Sequence, residues 1–305
     1  MAGRGTSDHA GVYAQYLFGS RNRLPVAMAA PSLFTMYPQS PLLGNALVIG
    51  ISQSGQSPDI VSVVAEGRRQ GALTLAVTND TSSPLAQAAE MCIGIHSGPE
   101  RAVAATKTYT GELLALAALS VAMAGNSEED LALLGMVPGA VQSALEQEDA
   151  AAQIAAKYRD LEKCLVLGRG YNYATAQEWA LKLKELAYVF TDVYSPADFQ
   201  HGPIAIVEEG FPMLAAVPGG AVFESELSLL KRLMDEYKAE LIVISDNDEA
   251  LNLSQAALRL PAGLPEWLTP LPAIIPAQLF CYHLTLAKGY DPEHPRTLRK
   301  VTLTR

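Results

Sequence analysis

The chain has 305 residues, of which 49% are hydrophobic and 18% charged, a balance that suits a packed globular protein of one large or two ordinary domains. A formal charge of −10 excludes a basic face for nucleic acid, so no nucleic-acid partner is expected. The longest apolar runs, "ALVIGI" and "LLALAALSVAMA", are too short for a membrane span, and no basic segment leads into an apolar signal core. The reading is therefore a cytoplasmic protein with no membrane partner.

In chain order, "ALVIGIS" is a continuous apolar strand that runs into "SQSGQSPD", followed by a helical pattern closed by Gly71. "LTLAVTND" and "CIGIH" read as further strands, and a long helix runs from about Thr108 to Ala124. Residues 126–158 are rich in Ala, Glu and Gln and read as linking helices. "KCLVLGRG" (163–170) opens a second series with a strand, and "AQEWALKLKELAYVF" (176–190) follows as a helix. Continuous apolar strands between helices mean a parallel sheet covered on both faces.

The two series repeat each other. "AGRGTSDHAGVYAQ" at 2–15 resembles "LGRGYNYATAQEWA" at 167–180, an offset of about 165 residues, and "LVIGISQSG" meets "PMLAAVPGG" at the same offset. "LAVTND" and "LIVISDN" match at a nearby one, so the chain reads as two copies of one α/β domain. The expected boundaries are 1–125 for the first copy, 126–158 for the linker, 159–288 for the second copy and 289–305 for a tail. The first copy begins with only "MAGRG", so most of its first strand is missing, and the expectation is a start further upstream or a trimmed chain.

"SQSGQSPD" lies at a strand end and a helix start. Ser57 is placed to cap the helix and Pro58 fits its first position, leaving a helix N-terminus that favours an anion. Ser52, Ser54 and Ser57 add hydroxyls, Gln53 an amide, and Gly55 lets the backbone come close. Thr6 and Ser7 of "GTS" stand in the neighbouring loop. The second copy has "PGGAVFES" there without these donors, so one phosphate site per chain is expected.

Glu178, Lys182 and Glu185 share one face of the second-copy helix, a spacing that by itself suits a solvated salt-bridge face. His201 lies in a Gly-Pro turn, and Lys300 in the Pro- and Arg-rich tail. Cys92, Cys164 and Cys281 are odd in number, widely spaced and set in apolar surroundings, so they read as small core residues in a reducing compartment. The five histidines show no ligand spacing, with His283 read as a core residue, and "GRG" lacks the rest of a dinucleotide fingerprint. Neither a metal nor a cofactor is expected.

"GTS", "SQSGQS", "VAATKTYT", "EWALKLKE", "HGP" and "HPRTLRKVT" resemble, in order and spacing, the tandem sugar-isomerase (SIS) domain proteins. The pattern is most similar to the isomerase module of glucosamine-6-phosphate synthase and to SIS-type glucosamine-6-phosphate deaminases. The resemblance implies two tandem flavodoxin-like SIS domains, a phosphorylated amino sugar as ligand, and a homodimer with a shared active site. It implies that Ser52, Gln53, Ser54 and Ser57 hold the phosphate with Thr6 and Ser7 nearby, and that Val103 and Ala105 lie at the sugar. Glu185 would move a proton between C1 and C2, with Glu178 and Lys182 tuning it. His201 would open the ring from across the dimer, and Lys300 would reach the carbonyl carbon as a Schiff-base amine or sit at the sugar.

The chain departs from the synthase pattern at Ala105, where a serine is usual, at Trp179 in place of glycine, and in reading "SGQS" for "SGET". No glutaminase segment accompanies the motifs. The expected reaction is therefore conversion of glucosamine 6-phosphate to fructose 6-phosphate and ammonia. A synthase-like isomerase without its glutaminase is the second expectation, and a silent sugar-phosphate sensor the third.

Overall fold

The computed structural model describes residues 1–298 and 300. They form two compact units, one of residues 1–126 together with the described residues from Thr297 on, the other of residues 127–296. Among the described residues no helix is long and apolar enough to cross a membrane.

The first unit comprises α1 (Thr6–Arg21), α2 (Ser32–Thr35), β1 (Leu47–Ser52), α3 (Pro58–Arg69), β2 (Leu73–Thr78), α4 (Pro84–Ala88), β3 (Met91–Gly94) and α5 (Lys107–Met123). Its strands pair in parallel in the order β1-β2-β3. Five of the six residues in both β1 and β2 are buried, which is why these segments read as unbroken apolar runs. Val48, Ile60, Val63, Val64, Ala76 and Leu85 form a core between the sheet and α3. The strand that the sequence leaves mostly missing is represented by a short stretch. Ala2 bridges Gly50 in parallel through Ala2 N–Ile49 O (2.9 Å) and Ile51 N–Ala2 O (2.8 Å). On its other side Met1 O accepts from Ala29 N at 2.7 Å.

The second unit comprises α6 (Glu128–Leu145), α7 (Glu148–Lys157), β4 (Lys163–Gly168), α8 (Tyr173–Lys182), β5 (Phe190–Tyr194), α9 (Pro196–Phe199), β6 (Pro212–Ala216), α10 (Phe223–Asp235), β7 (Glu240–Ser245), α11 (Asp248–Asn252), β8 (Ala256–Arg259) and α12 (Pro270–Ala287). Its parallel sheet has the order β5-β4-β6-β7-β8, the flavodoxin-like arrangement in which the first strand lies between the second and third. The helices of the 126–158 segment, α6 and α7, pack on α12 within this unit. A core of Leu165, Leu167, Met213, Leu227, Leu230 and Leu241 joins the sheet to α10.

The helix expected over 176–190 is shorter than its periodicity suggests. It ends at Lys182, winds through a π-helical turn at Leu183–Ala187, and stops where Tyr188 adopts a left-handed φ of 54°. The following Phe190–Tyr194 run is aromatic and β-branched, and it pairs with β4 instead of continuing the helix.

Candidate active site

Ligands in sheets of this topology bind beyond the carboxyl ends of the strands, at the point where the strand order reverses. In the first unit that point lies between the Met1–Gly3 stretch and β1, where residues 4–5 lead into α1 and residues 53–57 into α3. An apolar cavity of about 530 Å³, lined by Met1, Pro25, Leu33, Phe34, Leu47 and Val63 among others, lies at the opposite end of β1 and is set aside on that ground.

Ser57 stands at the N-cap of α3 and Pro58 at its first position, as the sequence indicates, yet the Ser57 hydroxyl makes no capping bond. Two other serines shape the loop. Ser52 Oγ accepts from Gly55 N at 3.1 Å and Ser54 Oγ from Gln56 N at 3.3 Å. A hydroxyl that accepts in this way keeps its own O–H to donate, so the loop offers oriented hydroxyl donors to an anion. The Gln53 carbonyl accepts from Asn79 N at 3.2 Å and from Thr78 Oγ1 at 3.4 Å, which fixes the loop to the end of β2. Gly55 has φ 62°, and a Cβ there would lie 2.1 Å from Ser83 Oγ. Thr6 opens α1, and the buried Ser7 donates to Glu112 Oε1 at 2.8 Å.

The segment before α5 holds Val103 and Ala105, both partly buried. Glu100 organises it: Oε2 accepts from Thr106 N and Thr108 N, each at 3.1 Å, and from Thr108 Oγ1 at 2.9 Å. Lys300 Nζ donates to Ala102 O at 2.6 Å, so the tail lysine reaches this same segment.

In the second unit the three charged residues of α8 and its π turn are not a solvated face. Lys182 is 1% exposed and Glu178 0%, while Glu185 keeps 23% exposure. Lys182 Nζ lies 3.3 Å from Glu178 Oε1 and 2.5 Å from Glu185 Oε2. Burial pulls the lysine pKa down, but the Glu178 and Glu185 carboxylates more than offset this and hold it above its ordinary value. The ammonium therefore stays charged, and it lies beneath Glu185, the one member of the three that keeps some exposure. Trp179 packs edge-on against Phe280 with ring centroids 6.0 Å apart, which explains the large residue beside Glu178.

His201 is exposed in the turn after α9, its backbone N bonded to Asp198 O at 3.0 Å. Near the end of this unit, Arg296 lies over the ring of Tyr188 at 4.3 Å and over that of Tyr290 at 4.9 Å, and its backbone N donates to Tyr188 OH at 2.8 Å. This aromatic clamp seats the end of the unit on the residue that closes the π turn.

Two expectations are corrected. Cys92 is exposed, because its strand β3 is the sheet edge, whereas Cys164 and Cys281 are buried. His283 is only partly buried, with its side chain 20% exposed and Nε2 3.6 Å from Glu148 Oε1. The sequence also passed over four residues. Glu112 is a lone acid in an apolar helix, a signal that was visible. Glu100, Arg4 and Asp59 gave none beyond ordinary loop and helix-start chemistry.

The SIS domain model matches residues 1–122 and 157–288. The chain is 34% identical over 307 residues to a glutamine–fructose-6-phosphate aminotransferase [isomerizing] of Pyrococcus horikoshii, covering 98% of this chain and 50% of that protein. It thus spans about half the length of the curated relatives it matches. Its fold superposes on a putative phosphosugar isomerase from Silicibacter pomeroyi with a TM-score of 0.84 and 34% identity, covering 95% of this chain and 86% of that one. The C-terminal domain of a glucosamine-fructose-6-phosphate aminotransferase from Francisella tularensis gives a TM-score of 0.86 at 28% identity, covering 96% and 86%.

Proposed function

The chain belongs to the SIS-domain family, and from that premise we propose that it isomerises and deaminates a phosphorylated amino sugar, converting glucosamine 6-phosphate to fructose 6-phosphate and ammonia. The observation that carries this reading is the Glu178–Lys182–Glu185 group, two of its members buried and the third, Glu185, partly open. Burying Glu178 and Lys182 beneath a partly open Glu185 is costly, and a protein that only bound sugar phosphate has no need of it.

Ser52, Gln53, Ser54 and Ser57 hold the phosphate, with Thr6 and Ser7 beside them and Val103 and Ala105 at the sugar. His201, supplied by the second copy in a homodimer, opens the pyranose ring, since imidazole both gives and takes protons near neutrality. Glu185 removes the C2 proton of the open-chain sugar and returns it to C1, a transfer that one carboxylate serves with its two oxygens. The product is the C2 imine, and water adds to it to release ammonia and leave the ketose. Lys182 and Glu178 fix the position and basicity of Glu185. Lys300 acts at the carbonyl carbon as a Schiff-base amine, or as a donor to the sugar.

The similarity to an isomerizing aminotransferase supports a second reading, amination of fructose 6-phosphate in the reverse direction. Hydrolysis needs only water beyond these residues, whereas amination needs delivered nitrogen, so the deaminating direction is preferred. The test is ammonia and fructose 6-phosphate release from glucosamine 6-phosphate, with Glu185→Gln as control. Release that the variant loses by about 10²–10⁴-fold supports the reading. Turnover only from fructose 6-phosphate and ammonium moves it to the second, and sugar-phosphate binding without turnover overturns both.

A further inference from the structure

The two copies of the repeat carry the same arginine. Arg4 in "GRGTS" and Arg169 in "GRGYN" each follow the first strand position of their unit, at the reversal point of the sheet. In each unit the helix after the neighbouring strand on one side, α3 after β1 and α10 after β6, contains a buried acid within electrostatic reach of this arginine. Asp59 of α3 is 0% exposed and bonds Arg4, and Glu226 of α10 is 1% exposed and lies in the field of Arg169.

The loops between these elements differ in one respect. In the second unit they are filled by the protein's own carboxylates. Gly219 N donates to Asp246 Oδ1 and Ala221 N to Glu266 Oε2, both at 2.7 Å. A Cβ on Gly220 would lie 2.3 Å from the Glu266 carboxyl carbon, so that carboxylate is seated against the loop. Arg169 Nη1 is used by Ser225 Oγ at 3.0 Å. In the first unit, among the described residues, the amides of Gly55 and Gln56 are bonded by serine hydroxyls and not by a carboxylate. Among the described residues Arg4 is gripped there on one edge, Nε to Asp59 Oδ2 at 2.7 Å, and its side chain is 51% exposed.

The geometry points to Arg4 as a phosphate-binding residue of the first-unit loop, oriented by Asp59 so that its outer Nη edge meets a phosphate monoester. This rests on the reading of residues 52–57 as the phosphate cradle. Glu266 marks the equivalent place in the second unit, where a built-in carboxylate stands in for the anion. Arginine suits the task because its planar fork holds two partners at once: Nε serves the buried carboxylate while the Nη groups serve the ligand. The Arg4–Asp59 pair is neutral as a whole, so its contribution is directional donors and not bulk charge. A lysine could satisfy Asp59 but would have no second edge left to offer.

Calorimetric titration of the whole chain with inorganic phosphate and with glucosamine 6-phosphate, for wild type, Arg4→Gln and Arg4→Lys, tests this. Arg4→Gln is expected to weaken both ligands by about 10–100-fold, and Arg4→Lys to recover little of that loss. The preference of wild type for the phosphate dianion, seen by comparing affinities on either side of the phosphate pKa of about 6, should shrink in both variants. A purely structural clamp would lower the melting temperature without moving that ratio. If Arg4→Gln does not fold, Arg4→Lys, which can keep a bond to Asp59, gives the same readout. Binding within twofold of wild type in the variants overturns the assignment of Arg4 alone. Failure of wild type to bind either phosphate compound overturns the cradle reading and this inference with it.

Discussion

The Lys182 ammonium sits 2.5 Å from a Glu185 oxygen although the two side chains differ in exposure, 1% against 23%. The buried cation thus holds the inner side of a carboxylate whose other side is reachable. Lys182 also lies against the fully buried Glu178, so removing it takes the same cation from both carboxylates. Lys182→Met is expected to cost about 3–5 kcal/mol in urea unfolding. Because the folded lysine pKa is raised, its contribution is fully present below the unfolded value of about 10.4 and lost only as pH rises through the folded value. The lysine's own share of the gap between wild type and variant should therefore persist from neutral pH to about 10 and fall above it. A gap that already narrows between pH 6 and 9 would contradict this.

If His201 is supplied across a dimer, two dead variants should rescue each other. Glu185→Gln and His201→Ala, each inactive alone, should on mixing and subunit exchange give up to about a quarter of wild-type activity, since half the dimers are mixed and one site in each is intact. Absence of recovery, with exchange verified by mass, would place both residues in the same protomer's site.

Gly55 has a left-handed φ of 62°, and its missing Cβ leaves room for Ser83 Oγ, which would otherwise be 2.1 Å away. Gly55→Ala should lose about 1–3 kcal/mol of stability and displace the Ser52 and Ser54 hydroxyls, weakening phosphate binding as well. Thermal melts with and without phosphate read both effects. A variant with unchanged melting and unchanged phosphate stabilisation would remove the loop from the proposed site.

Glu226 is buried, and among the described residues neither oxygen has a partner within full hydrogen-bond geometry, the Arg169 backbone being an opposing influence. Burial and the neighbouring Glu266 push its pKa well above the ordinary carboxylate value, against the opposing pull of Arg169. The folded state thus binds a proton that the unfolded state releases, so this residue lowers stability as pH rises above its unfolded value. Glu226→Gln should melt above wild type at pH 8, with the difference shrinking toward pH 5. A variant less stable than wild type at pH 8 would show that Glu226 is held as a charged partner of Arg169.

Strand composition made the parallel sheets legible, because β1, β2, β4 and β7 are buried on both faces and so carry no polar alternation. The repeat, too, could be read directly. What periodicity could not supply was orientation. The i, i+3 and i, i+4 spacing of Glu178, Lys182 and Glu185 puts them on one face in solvent or in the core alike, and only packing by α12 and β4 decides which. The π turn was hidden because it needs a hydrogen-bond shift, not a change in residue type. Ser57 looks like a capping residue and occupies the capping position, yet its hydroxyl is left for other use. Arg4 and Asp59 are 55 residues apart, and nothing local announces a pair that the sheet topology creates.

The aromatic clamp on Arg296 has a kinetic consequence. Tyr188 both closes the turn that carries Glu185 and stacks under the guanidinium, 4.3 Å from its ring, so the end of the unit cannot swing at Arg296 without unstacking from that ring. Fluctuations of residues 290–296 and of the π turn then become one cooperative opening event, not two. Amide exchange at Tyr188 and Val189 should accelerate in step with that of the 290–296 stretch when Arg296 is replaced by alanine, so a single substitution at the end of the unit would loosen the turn that carries Glu185.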